Sequence, residues 1–305
     1  MRERPLQDEG IVGGHRLAGL WPYLQLMRPP NLLTAVADAL AGFGVAATAN
    51  LAALPYLVAA TICLYGGGVA FNDIFDRKLD ARERPERPLP SGRATLPLAI
   101  LLGASLLACG IGAAFMASTG SGLLALLIAL CALVYDSWGK KRAILGPINM
   151  GVCRGLNLML GVSAVPELVG ERWYLGLIPV TYIAAVTAIS KGEVEGGNHS
   201  TGLLALGLLS VVILALPALT LTSEARLVAM LPFLALFSLK VAPAFWRAFL
   251  DPDAKHIRIA VKTGVLSLIV LDAAIAAGYA GLLYGAAVYS LTLAARPAAR
   301  LFAVT

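Results

Sequence analysis

Apolar residues run almost unbroken along this chain, and polar ones gather in short clusters between the runs. Neither the two-residue alternation of a half-buried strand nor the narrow apolar stripe of a soluble helix describes that pattern. At ~20 apolar residues per crossing, it divides into about nine candidate spans: 22–46, 53–75, 96–117, 120–137, 145–165, 174–192, 201–221, 227–248 and 262–287. The predicted fold is an all-α integral membrane protein, a bundle of these helices around a central cavity that opens to cytoplasmic loops. Composition agrees, with 58% hydrophobic and 14% charged residues, where a soluble chain is about a quarter charged.

Charge then orients the bundle, because Lys and Arg concentrate in short cytoplasmic loops. The loops after the second, fourth and eighth spans hold Arg77, Lys78, Arg82, Arg84, Arg87 and Arg93, then Lys140, Lys141 and Arg142, then Arg247, Lys255, Arg258 and Lys262. The alternating loops are nearly uncharged. This predicts a multi-pass protein of the cytoplasmic (inner) membrane with its N-terminus in the cytoplasm. Arg296 and Arg300 fit less well, since an odd number of spans puts them outside. The net charge of +6 follows from this topology, and no nucleic-acid module is visible. Residues 1–21 read as a flexible cytoplasmic arm, 22–290 as one membrane domain and 291–305 as a tail. Cys63, Cys109, Cys131 and Cys153 are scattered singly, and His15, His199 and His256 show no paired spacing, so neither set reads as a metal site.

The largest polar cluster stands directly behind the second span, in "AFNDIFDRKLDARERPERPLPSGRA", residues 70–94. On a helix at 100° per residue, Asn72, Asp73, Asp76 and Asp80 fall within an arc of ~100°. Hard oxygen donors at the mouth of an apolar bundle suit Mg²⁺, which is held by one or two carboxylates plus substrate phosphates. The alternative is a solvated loop whose Asp side chains pair with Arg77, Lys78 and Arg82.

"NDIFDRKLDARERPERPLPSGR" resembles the first aspartate-rich signature of the UbiA superfamily of intramembrane prenyltransferases, NDxxDxxxD followed by an RPLPSG-type loop. It is matched at Asn72, Asp73, Asp76, Asp80, Arg87, Pro88, Leu89, Pro90, Ser91 and Gly92. "YDSWGKK", "LGPINMGVCRGLNLMLG", "TAISKGEVEGG" and "VLSLIVLDAAIAAG" look most like its EboC-like branch. The resemblance implies transfer of a prenyl group from a polyprenyl diphosphate to an acceptor, aromatic or lipid-like, with membrane lipids around it. It further implies Mg²⁺ held by Asn72 and Asp76, with Asp73 and Asp80 as further ligands or supports. A rival reading, also from the EboC-like branch, is a non-catalytic protein that binds or helps export an isoprenoid or pigment precursor.

That family carries a second acidic motif after the sixth span, where this chain has "SKGEVEGGNHS". Glu193 matches the first acid, but Gly197 stands where the last is expected. Glu195 lies ~160° from Glu193 on a continuous helix, so both reach one metal only if the backbone breaks, as Gly192, Gly196 and Gly197 permit. Asn198 is another oxygen donor, and Lys191 offers a charge to a diphosphate or an i,i+4 pair to Glu195. The loop "YDSWGKKR" resembles the family's tyrosine-plus-basic element, implying diphosphate contacts from Tyr135 and Lys140. Arg154, with Asn157 three residues on, lies inside the fifth span and needs a negative partner, a diphosphate or a carboxylate. Asp38 and Asp272, in the first and last spans, either serve the acceptor or pair between helices, and Arg28 and Asn31 stand at the cytoplasmic end of span one. The Gly run in "YGGGVAF" reads as close helix packing rather than a phosphate loop.

Overall fold

The computed structural model describes residues 12–142, 145–192 and 196–302. In chain order the helices are α1 (Val12–Leu26), α2 (Pro29–Ala46), α3 (Leu54–Glu83), α4 (Leu96–Ala117), α5 (Thr119–Ser137), α6 (Leu145–Val162), a single turn α7 (Glu167–Glu171), α8 (Leu177–Ser190), α9 (His199–Thr222), α10 (Leu227–Leu250), α11 (Ala254–Ala280), α12 (Leu282–Ser290) and α13 (Thr292–Leu301). There is no strand among the described residues. Among the described residues, seven helical segments are long and apolar enough to cross a membrane: those of α3, α4, α5, α8, α9, α10 and α11. Helices α2 and α6 lie where two further spans were expected, and each carries a buried charge near its centre, Asp38 and Arg154.

Burial is inverted relative to a water-soluble bundle. Leu221, Val228 and Leu283 stand more than four-fifths exposed on the outside, while Asp38, Arg154 and Asp272 are buried within. Such a surface belongs in hydrocarbon, where polar side chains turn to the bundle interior. Successive helices pack against one another from α2 through α5 to α6 and α8, on through α9 and α10, and α11 closes the ring on α2. The first and last expected spans thus adjoin. Small residues permit the closest approaches: a Cβ at Gly42 collides with the Leu158 carbonyl oxygen and one at Gly161 with that of Ala39, so α2 and α6 touch backbone to backbone. Gly67 of the "YGGG" run likewise sits 3.0 Å from the Gly103 carbonyl oxygen on α4 when given a Cβ, which makes that run a packing face.

Helix ends follow local chemistry. Ser118, Asn198 and Asp253 cap α5, α9 and α11 with side-chain oxygens that accept early backbone N–H groups, the usual role of short polar residues there. Prolines fill the first turns of α2, α3 and α4, where the missing N–H costs nothing. Helix α3 continues through the whole acidic signature to Glu83, longer than the span expected from hydropathy.

Helices α12 and α13 carry the chain back along the bundle. The Tyr284 hydroxyl donates to the Leu40 carbonyl at 2.9 Å, near the far end of α2. Eighteen residues later the Phe302 ring meets Trp21 of α1, centroids 4.7 Å apart. The last described residue of the chain therefore lies beside α1.

Candidate active site

Three separate segments converge on the acidic face of α3. The Asp73 carboxylate accepts from the Arg28 guanidinium at 2.8 Å and more weakly from Arg87 at 3.5 Å. Both oxygens of Asp80 accept from Arg87, at 3.1 and 2.9 Å. The Lys140 ammonium lies 2.6 Å from Asp76, and the Asn72 amide donates to Asp136 at 2.7 Å. Tyr135, half-buried at the end of α5, neighbours Asp76, Asp136 and Arg28. The aspartates are paired, as the loop alternative required, but with Arg28, Lys140 and, from the same stretch, Arg87. Arg77 of the same loop turns its guanidinium to the Ile74 carbonyl instead.

The sequence builds each arm locally. Arg28 adopts a left-handed backbone at φ 48° immediately before Pro29, a conformation costly for a non-glycine residue. Arg87 is held by the "RPLPSG" turn, in which the Ser91 hydroxyl donates to the Arg87 carbonyl at 2.7 Å and Gly92 takes φ 74°. A positive φ is available to Gly without steric cost. Lys140 follows from a tight turn after α5.

The donor set is all oxygen, hard and converging, and so fits Mg²⁺. Among the described residues no three acids, His or Cys are already gathered as a cage; each carboxylate is occupied by a lysine or arginine. A cation held by these carboxylates would have to displace those lysine and arginine partners. Arg87 and Asp136 were not singled out as site residues from sequence. Arg87 was quoted only as part of its loop, and Asp136 gave no signal beyond standing next to Tyr135.

A second polar cluster lies deeper. The Arg154 Nε is 3.0 Å from Asp38 Oδ2, and the guanidinium lies over the Tyr65 ring at 5.7 Å. Asn157 donates to the same Asp38 oxygen at 3.1 Å and to the Ala35 carbonyl at 2.8 Å, while the Thr61 hydroxyl donates to Asn157. Asp272, buried on α11, is close enough to Asp38 for their charges to interact, while the ion pair of Arg154 is with Asp38. Of the two partners expected for Arg154, the structure supplies the carboxylate. Asn31 is buried in the first turn of α2, between Arg28 and Asp38 in the chain.

The second acidic motif is legible only in part. Glu193 and Glu195 lie outside the described residues, and Lys191 is exposed at the end of α8. The backbone does break there: α8 ends at Ser190, Gly196 takes φ 91°, and α9 begins at His199. Asn198 commits its side-chain oxygen to the Thr201 N–H at 2.9 Å, which makes it a helix cap rather than a dedicated ligand.

A model of the UbiA prenyltransferase family matches residues 34–257, from α2 to the start of α11. The chain belongs to the UbiA prenyltransferase family. Two relatives carry the name digeranylgeranylglyceryl phosphate synthase. The one from Ignicoccus hospitalis is 31% identical over 59% of this chain and 59% of its own length. The one from Methanosarcina mazei is 32% identical over 66% of this chain and 80% of its own. A UbiA homologue from Archaeoglobus fulgidus, solved bound to GPP and Mg²⁺, superposes with a TM-score of 0.58 at 16% identity, covering 88% of this chain and 99% of that one. The UbiA fold is thereby shared, with the acidic helix α3 inside the matched region.

Proposed function

We propose that this UbiA protein transfers a prenyl group from a prenyl diphosphate to an acceptor within the membrane, with Mg²⁺ as cofactor. The observation that carries the proposal is the convergence of Asn72, Asp73, Asp76 and Asp80 with Arg28, Arg87 and Lys140 at one end of an apolar bundle. Asn72, Asp76 and Asp80 hold the metal, with Asp73 beside them, and the sequence motif offers Glu193 as a further carboxylate. Bound there, Mg²⁺ neutralises charge as it develops on the departing diphosphate. Arg28, Arg87 and Lys140, released from their carboxylates, grip the phosphate oxygens, the two arginines as forked donors and the lysine as a point charge. Tyr135 and Lys191 border the same anion. The apolar walls exclude water, which protects an allylic cation from hydrolysis.

The relatives' name describes a glyceryl phosphate that carries two geranylgeranyl groups. We therefore take the acceptor to be a hydroxyl on a glycerol-phosphate lipid in preference to an aromatic ring. The finer resemblance to the EboC-like branch stands on the quoted segments around Tyr135, Arg154, Glu193 and Asp272, and it supplies the rival: a binding or export protein that performs no transfer. We place nine crossings, α2, α3, α4, α5, α6, α8, α9, α10 and α11, and the return pass of α12 and α13 in the cytoplasmic membrane, with the N-terminal arm inside the cell.

The test offers the purified protein labelled geranylgeranyl diphosphate together with a monoalkyl glycerol phosphate or a hydroxylated aromatic. Product from the glycerol phosphate supports the proposal, and product from the aromatic alone overturns the acceptor class. Tight Mg²⁺-dependent binding with no product from any acceptor would favour the carrier.

A further inference from the structure

An asparagine side chain ligates a cation only through its carbonyl oxygen; the amide nitrogen is a donor and must face away. Rotation about the last side-chain bond exchanges the two, and at a wet cavity mouth nothing intrinsic to Asn72 chooses between them. Asp136 chooses. It reaches across from the last turn of α5, is only 3% exposed, and accepts the Asn72 amide at 2.7 Å. A carboxylate accepts and does not donate, so Asn72 must present nitrogen to it and oxygen to the opposite side. Asn72 lies on the same ~100° arc of α3 as Asp73 and Asp76, so the oxygen left free by that bond is available to a cation held among them.

We infer that Asp136 is a positioning residue, which fixes the Asn72 carbonyl oxygen as a ligand toward the metal site. The inference rests on the proposed Mg²⁺ site, since without an ion there the orientation has no consequence. Residues that hold a ligand in place from behind change metal affinity by about 10–100-fold when removed. The neighbouring Lys140 does not substitute for Asp136, because an ammonium cannot accept the amide N–H.

The probe is Mn²⁺, titrated by electron paramagnetic resonance into the full-length protein in the presence of a non-reactive thiolo analogue of geranyl diphosphate. Asp136→Leu is expected to raise the Mn²⁺ Kd by about 10–100-fold while gel filtration and melting temperature stay close to wild type. Asp136→Asn keeps a carbonyl acceptor and is expected to lose less. The decisive variant exchanges the partners, Asn72→Asp with Asp136→Asn: the amide now donates from position 136, either carboxylate oxygen at 72 can face the metal, and affinity returns to within a few-fold of wild type. An unchanged Kd in Asp136→Leu overturns the inference and leaves the metal site standing. If Asp136→Leu fails to fold, the single Asp136→Asn and the exchange decide, and an exchange no tighter than Asn72→Asp alone overturns it. Wild-type protein that binds no Mn²⁺ removes the metal site, and the inference falls with it.

Discussion

Removing Arg154 tests the deeper cluster most sharply. Its side chain is 5% exposed and that of its partner Asp38 is 0% exposed, so neither charge has water to fall back on. Arg154→Met keeps most of the aliphatic volume but leaves Asp38 with Asn157 and a second carboxyl, Asp272, as its polar neighbours. Breaking a buried pair from one side costs about 3–5 kcal/mol, because the surviving charge stays uncompensated. Against a typical total of about 5–15 kcal/mol, this is a large share, and at roughly 2–4 °C per kcal/mol it lowers the melting temperature by roughly 6–20 °C. The assay is a thermal melt of the detergent-purified protein, with Asp38→Asn and the double variant alongside. The double variant removes the stranded charge and is expected to recover more than half of the loss. A melting temperature for Arg154→Met within about 2 °C of wild type would refute the reasoning, because the one remaining amide donor, Asn157, does not compensate an unpaired buried carboxylate.

Two further outcomes follow from the packing. Gly42→Val should abolish assembly of the bundle, since its Cβ already collides with the Leu158 carbonyl where α2 and α6 touch; fluorescence-detection gel filtration shows this as aggregate in place of a monodisperse peak. A single cysteine at position 300, in a chain freed of its four native cysteines, should react with an impermeant maleimide from the same side of the membrane as one at position 86; labelling from opposite sides contradicts the return path of α12 and α13.

Much of the helical pattern was readable because hydrocarbon leaves so few options. The run 96–117 coincides with α4, and 120–137 differs from α5 by one residue. Hydropathy misjudged α3, which runs on to Glu83, because a helix does not have to end where charge begins when that charge is paired across the bundle mouth. It missed the return pass because Arg296, Pro297 and Arg300 dilute the apolar count, although the same arginines had already failed to fit an odd number of crossings. The acidic face of the site was legible from spacing, since a 100° step per residue is fixed by the helix alone. Its partners were not: Arg28, Arg87 and the Asp136–Lys140 stretch come from three places in the chain, and only tertiary packing decides which cation meets which carboxylate. For the same reason the sequence demanded a negative partner for Arg154 without selecting Asp38.

The most direct test of the central claim is Mg²⁺-dependent turnover of radiolabelled geranyl, farnesyl and geranylgeranyl diphosphate by the purified protein with a pool of membrane-extracted acceptors. The account predicts labelled lipid product that disappears with EDTA and with Asp76→Ala, a variant that keeps its fold because Asp76 is partly exposed at the mouth. Product that persists through both treatments, or its absence in wild type beside tight diphosphate binding, would contradict it.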